Sequence, residues 1–296
     1  MADGSEDLEP PRRRTHRADM AAVVVVVGVF VVGLSVFGLV SNSFSRVGSA
    51  VSAMGRTAPL QTYPGRPNAP SQANAPENFA VFVADGDTLA GAFILHLSAS
   101  RNDLTVLALP SDMPDADRAG RPTTLAEEFN DGPSAATHVL EDVTGARMDH
   151  QILLHEEHCW PLVAAVGGVK VGGSATPWTQ TQVHRWVDQS ATPAQRAARL
   201  AQTLVAVLSK FSILMSVTDP GQFDQAMDAL PSCMSVDPSL TSDDVSTTLS
   251  GLKVKANTIS AIAVPSANGG AVTLAQLRMA LADDDIAALA KQHPIG

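Results

Sequence analysis

The chain has 296 residues and a formal charge of −10, from 20 Lys and Arg against 30 Asp and Glu. An acidic chain gains nothing from counterion release on DNA or RNA, which excludes nucleic acid as a principal partner. With 45% hydrophobic and 4% aromatic residues, the sequence is long enough for one or two domains with a buried core.

Residues 1–19 hold a basic cluster, Arg12, Arg13, Arg14, His16 and Arg17, and residues 20–40 (MAAVVVVVGVFVVGLSVFGLV) follow without a charge. At about 1.5 Å per helical residue such a run spans roughly 30 Å, the hydrocarbon thickness of a bilayer. Lipid leaves the backbone to satisfy its own hydrogen bonds, so a helix is expected despite the many valines. Basic flanks stay on the cytoplasmic side, which puts the N-terminus in the cytoplasm and the rest outside it. The alternative is a signal peptide cut after Ala53. Signal cores are shorter, roughly 7–15 residues, and end close to the cleavage site. A single-pass anchor in the cytoplasmic membrane is therefore expected.

Residues 41–77 carry Pro59, Pro64, Pro67, Pro70 and Pro76 among Gly, Ser, Asn and Gln. Such a stretch buries too little surface to offset its ordering entropy, and a semi-extended extracytoplasmic linker is expected. Residues 78–296 read as one folded domain. The apolar runs at 78–84, 92–97 and 103–109, bounded by Asp, Gly or Pro, are expected strands. A helix is expected at 134–143, a strand at 150–155, a short helix at 158–166 stopped by Gly167-Gly168, and a strand stub at 169–171. Thr192-Pro193 supplies an N-cap and first-turn pair for a helix to about residue 211. Further helices are expected at 220–230, 242–252 and 273–292. Strands interleaved with helices make an α/β domain with a central mixed sheet flanked by helices. Cys159 and Cys233 fall on the exported side, where disulfides persist, and are expected to pair, with two buried free thiols as the alternative.

Between residues 124 and 171 stand Gly132-Pro133, Val143-Thr144-Gly145, Met148-Asp149-His150 and Ala165-Val166-Gly167-Gly168-Val169. In order and spacing these motifs resemble those of the LytR-CpsA-Psr (LCP) family of cell-envelope proteins. The resemblance extends upstream through the strands ending at Asp85 and Leu97 and the Leu109-Pro110-Ser111-Asp112 step. Downstream it takes in the helix with Arg196 and Arg199 and the region 215–252. The family resemblance implies a phosphotransferase that moves glycopolymer from a polyprenyl diphosphate carrier to peptidoglycan. That chemistry needs carboxylates holding Mg²⁺, several arginines around the phosphoryl oxygens and an apolar tunnel for the prenyl tail.

Several of the implied residues are absent. Asp85 matches the first metal carboxylate and is the candidate Mg²⁺ ligand, but the following Arg and Asp positions hold Thr88 and Ala90. Ser111 replaces an arginine, leaving Asp112, and Asp188 and Ser190 stand where two more arginines are expected. Arg196 and Arg199 remain as a pair able to grip one phosphate, with Arg185 a possible substitute for a missing one. The expectation is an extracytoplasmic, non-catalytic binder of a polyprenyl-(di)phosphate-linked polymer or of an active LCP partner. Two alternatives stay open. One is a working phosphotransferase drawing cations from Arg101, Arg118, Arg121 or Arg185; the other is a scaffold that binds no lipid. His155-Glu156-Glu157-His158-Cys159 lacks the His-Glu-x-x-His spacing of a zinc helix and reads as a polar turn. Asp283-Asp284-Asp285 reads as a solvated helix face.

Overall fold

The strand Glu77–Asp85 (β2) organises the domain because every residue but Asp85 is buried. Its side chains alternate: Phe79, Val81 and Val83 enter one apolar core, while Ala80, Phe82 and Ala84 enter a second on the opposite face. A strand covered on both faces reads as a continuous apolar run, which is why it stands out in the sequence. The computed structural model describes residues 40–70, 72, 75–116, 120–216, 220–241, 253–264 and 272–295.

In chain order the described elements are the helix Val40–Ala53 (α1), the strand Gly55–Arg56 (β1), β2, and the strands Thr88–Leu97 (β3), Leu104–Leu109 (β4), Pro114–Ala116 (β5) and Pro122–Thr124 (β6). The helices Leu125–Asn130 (α2) and Pro133–Thr144 (α3) precede the strand His150–His155 (β7). Then come the helices Glu156–Ala165 (α4), Gln180–Asp188 (α5), Pro193–Ser216 (α6) and Pro220–Cys233 (α7), and the strand Met234–Val236 (β8). A 3₁₀ turn at Ala256–Thr258 leads into the strand Ile259–Ala263 (β9), followed by the helices Leu274–Ala282 (α8) and Ile286–Gln292 (α9). Seven strands form a mixed sheet in the order β1-β8-β7-β2-β3-β4-β9, and β5 pairs with β6 separately. Residues of α1, α4, α5, α6 and α7 fill the first core, and those of α2, α3, α8 and α9 the second.

Local chemistry sets the element ends. Thr192 Oγ1 accepts the Gln195 N–H (3.1 Å) ahead of Pro193, opening α6 where the Thr-Pro pair predicts it. Gly145 ends α3 at φ +67° and donates its N–H to the Glu141 carbonyl (2.7 Å). Gly168, at φ +81°, has the Trp178 carbonyl 2.7 Å from where a Cβ would stand, so the turn after α4 requires glycine. Cys159 on α4 and Cys233 at the end of α7 form a disulfide with Cα atoms 4.6 Å apart.

Four expectations are corrected. Residues 41–77 are not a free spacer: α1 buries Val47, Ala50 and Val51 in the first core, Met54 just after it does the same, and β1 pairs in parallel with β8. The segment beyond β1 is strapped down by side chains. Gln151 donates to Thr57 Oγ1 and the Ala58 carbonyl (2.9 and 2.7 Å), Ser134 to the Pro59 carbonyl (3.0 Å) and Arg147 to the Pro67 carbonyl (3.1 Å). Prolines block regular structure there, yet their carbonyls remain good acceptors. The helix expected at 273–292 is two helices. Asp284 breaks it at φ +57° and its carboxylate meets His96 Nε2 (2.9 Å) and the Ala99 N–H (3.0 Å). Asp284, expected on a solvated helix face, is thus a tertiary contact within a turn. Finally, α2 and α5 were not expected, and α4 starts at Glu156 rather than residue 158. The helix expected at 242–252 and residues 1–39, which carry nearly all of the expected membrane anchor, lie outside the described residues. Among the described residues no helix is long and apolar enough to cross a membrane.

Two buried carboxylates hold the periphery. Glu141, with a fully buried side chain, receives Tyr63 Oη, Arg66 Nε (3.1 Å to each oxygen) and the Met148 N–H (2.8 Å). Asp237 receives His150 Nδ1 and the Gln151 N–H, both at 3.1 Å, and Ser239 Oγ. Burial pushes the Asp237 carboxyl up, but the bonds from His150, Ser239 and Gln151 outweigh it and hold it below the ordinary carboxylate range.

Replacing Glu141 with Ala strands the buried Arg66 and should cost about 3 kcal/mol in denaturant unfolding. The same variant should expose the strap at residues 57–67 to protease. For Asp237 the folded-state pKa lies below the unfolded one. Its contribution is therefore complete above roughly pH 4 and is lost as pH falls through the depressed value. Asp237→Asn should lower the Tm at neutral pH and flatten the acid limb of the Tm-against-pH curve.

Candidate functional site

The parallel pairing of β2 with β7 sets Ala84 beside His155, so the residues that follow, Asp85 and Glu156, leave the sheet at the same edge. Ligand sites of α/β sheets collect at such carboxyl ends. Helix α6 starts above this edge and brings Arg196, in its first turn, between the two carboxylates. Arg196 Nη2 bonds both Glu156 oxygens (2.9 and 2.8 Å) and lies 3.6 Å from Asp85 Oδ2. Arg196 Nη1 lies 3.5 Å from Asp188 Oδ1 at the end of α5. A cation sits badly at the positive end of a helix dipole, and three carboxylates offset that cost.

Glu156 is buried, and burial raises its pKa against the lowering effect of the Arg196 guanidinium; Asp85 and Asp188 raise it further. The cluster therefore carries one guanidinium against three carboxylates. His184 extends it: its Nε2 lies 3.2 Å from Asp188 Oδ2, and its ring stacks on Trp160 at 4.8 Å. Glu156, His184 and Asp188 thus bring donor atoms within 4.8 Å of one another. Their pairing with Arg196 and with each other is sufficient reason for that closeness.

Arg199 does not join Arg196. Its Nη1 donates to the Trp186 carbonyl and its guanidinium lies 5.0 Å from the centre of the Trp186 ring. The two arginines expected to share one phosphate are thus directed to separate partners. Arg185 is exposed in the last turn of α5, and Asp112 is exposed on the turn after β4; neither is among the ion pairs of Arg196. Arg101 pairs with Glu77, at the opposite end of β2, about 26 Å from Asp85 at ~3.3 Å per strand residue. It cannot supply a cation to this site. Arg121 precedes β6, and Arg118 lies outside the described residues.

The Mg²⁺ set implied by the family resemblance does not fit the residues present. Asp85 stands with a guanidinium beside it, and the second carboxylate position is the buried Ala90. Glu156 and Asp188 supply the missing negative charge from other elements, but to Arg196.

Below Glu156 an apolar cavity of about 90 Å³ opens between the sheet and helices α4 and α6. Val81, Val83, Phe93 and Leu95 form its floor, Leu162, Leu200 and Leu204 its roof, and the Cys159–Cys233 disulfide and Trp160 one wall. Glu156 is the one ionisable group in the lining. Residues 155–159 were expected to form a polar turn; that Glu156 would instead open α4 and pair with Arg196 beside an apolar cavity was not anticipated from the sequence. The signal that could have found Glu156 is its place just after a strand that runs parallel to β2, the position equivalent to Asp85.

Solved structures share this architecture. The LytR-Csp2A-Psr enzyme from Actinomyces oris superposes with a TM-score of 0.58 at 16% identity, over 77% of this chain and 96% of its own. TagV from B. subtilis gives 0.56 at 12% identity, over 72% of this chain and 98% of its own. TagT bound to LIIa-WTA gives 0.57 at 11% identity, over 77% and 98%. No family model matches the sequence, and no curated protein does. At these identities the similarity is one of fold, and the chain carries the LCP fold.

Proposed function

We propose that the chain serves cell-wall glycopolymer attachment without transferring phosphoryl groups itself. In this reading it is anchored in the cytoplasmic membrane by residues 20–40, and its domain lies outside. There it holds the prenyl end of a lipid-linked polymer, or associates with an active LCP protein that handles one. The observation that carries the proposal is the state of Arg196. A diphosphate approaching it meets a guanidinium already hydrogen-bonded to Glu156 and flanked by Asp85 and Asp188 within 3.6 Å. Phosphoryl transfer requires surplus positive charge where the oxygens gain negative charge, and here the surplus is negative.

The apolar cavity beneath Glu156 supports the binding half of the reading. It suits one end of an apolar chain, whose phosphate would stay outside the Arg196 cluster in water. TagT, which shares the fold, has been seen with LIIa-WTA bound. The Cys159–Cys233 disulfide accords with an oxidising compartment.

Turnover tests the proposal. The full chain in non-ionic detergent, given polyprenyl diphosphate and Mg²⁺, should release no phosphate, and Arg196→Ala should behave alike. Crosslinking of a photoreactive prenyl phosphate should fall about tenfold in Leu204→Trp, which fills the cavity; that corresponds to ~1.4 kcal/mol. Release by the wild type that Arg196→Ala abolishes would restore the phosphotransferase, and crosslinking indifferent to Leu204→Trp would remove the lipid.

Stability tests the role of Arg196 separately. Arg196→Ala leaves Glu156 buried without its partner and should cost on the order of 3 kcal/mol at neutral pH, moderated by the partial exposure of Arg196. The folded-state pKa of Glu156 is raised, so its unfavourable charge appears only as pH rises past its unfolded value. The deficit should therefore shrink on acidification to about pH 4. A variant as stable as the wild type at both pH values would mean that Arg196 is free for a ligand.

A further inference from the structure

Among the described residues the sheet ends at β9, which pairs with β4 on one side only. Successive residues of a strand direct their main-chain groups to opposite sides. The Ala261 carbonyl accepts the Ile295 N–H (3.4 Å), so Ala261 faces away from β4, and Ile259, two residues earlier, faces the same way. Among the described residues that single bond is the only one from outside the sheet to reach this edge. A groove of about 580 Å³ runs along it, between α6, the Gly172-Gly173 turn and the C-terminal segment. Val205 and Ala206 of α6 give it an apolar wall.

Lys170, Lys210 and Lys291 also line this groove. The whole chain has five lysines and a net charge of −10, so three lysines around one apolar groove reverse the prevailing charge locally. Lys291 reaches Asp103 at 3.4 Å, an exposed pair that a competing carboxylate can displace at little cost. Lysines beside an open edge obstruct casual strand pairing, because an incoming strand would bury them without partners. A strand carrying its own carboxylates removes that obstacle.

We propose that this edge receives an acidic, extended segment of a partner protein, added as a strand beside β9. The incoming strand displaces the single 3.4 Å bond of Ile295 to Ala261 and takes the main-chain groups of Ile259 and Ala261 for register, with apolar side chains against Val205 and Ala206 and carboxylates at Lys170, Lys210 and Lys291. A lipid would satisfy the lysines but leave the strand edge unpaired. The inference stands apart from the cavity beneath Glu156 and does not depend on lipid binding there.

Anisotropy of a fluorescein-labelled Glu-Val-Glu-Val-Glu-Val peptide, with the full chain in non-ionic detergent, tests it. The peptide should bind, and more weakly as salt rises from about 0.05 to 0.3 M. Lys170→Glu/Lys210→Glu should weaken it at least tenfold with the Tm unchanged, and the milder Lys170→Ala/Lys210→Ala should do so less. Replacing two of the valines with proline, which cannot donate to an edge, should abolish binding. Equal binding of the proline peptide would overturn strand addition. Capture of phosphatidylglycerol vesicles through the same lysines, with no peptide bound, would make the groove a lipid surface instead. No binding of the peptide by the wild type would also overturn the proposal.

Discussion

The two-sided burial of β2 is the constraint on which the rest of the structure depends. A strand with Phe79 and Val81 pointing one way and Ala80 and Phe82 the other is stable only between two apolar layers. Helices must therefore cover both faces of the sheet. β2 also pairs in parallel with β7 and antiparallel with β3, and so lies within the sheet rather than at its edge. The carboxyl ends of β2 and β7 are thereby brought together, and whatever chemistry the domain has at that edge is a consequence of this pairing.

Around that apolar centre the domain buries a small number of charges, each given a partner. Glu141 binds Arg66 and Tyr63, and Asp237 binds His150. A buried carboxylate contributes little net stability compared with an apolar residue of the same volume, but it is expensive to leave alone. Such pairs therefore act as selectors of geometry. Glu141 accepts only a chain that brings Arg66 to it, and so the proline-rich segment between α1 and β2 follows one path across the domain. The disulfide between α4 and α7 acts likewise on the opposite side of the sheet.

The Arg196 cluster applies the same rule at the position where this fold would place its chemistry. There Glu156 accepts from Nη2 of Arg196 with both oxygens, while the buried Arg196 Nε has no hydrogen-bond partner among the described residues. Arg199 is directed instead to the carbonyl and ring face of Trp186. The apolar cavity beside the cluster persists because its lining belongs to the core that β2 requires.

Local pattern was legible in the chain: the two-sided strands, the start of α6 at Thr192-Pro193, and the Gly167-Gly168 stop after α4. Their order was also legible as an α/β domain, and the motifs from Gly132 to Val169 carried the resemblance to the LCP family. The sequence placed Asp85 and Arg196 at the site but could not give their state, because an ion pair forms between elements that are distant in the chain. Glu156 and Arg196 are 40 residues apart, and only the parallel register of β2 with β7 brings Asp85 and Glu156 to one edge. The same holds for the segment between residues 41 and 77. Its proline content argues against regular structure, while the contacts of Tyr63 and Arg66 with a buried Glu141 are invisible to composition. Tertiary structure alone decided these points, because the energy of a buried charge is set by the groups around it in space and not by its neighbours in the chain.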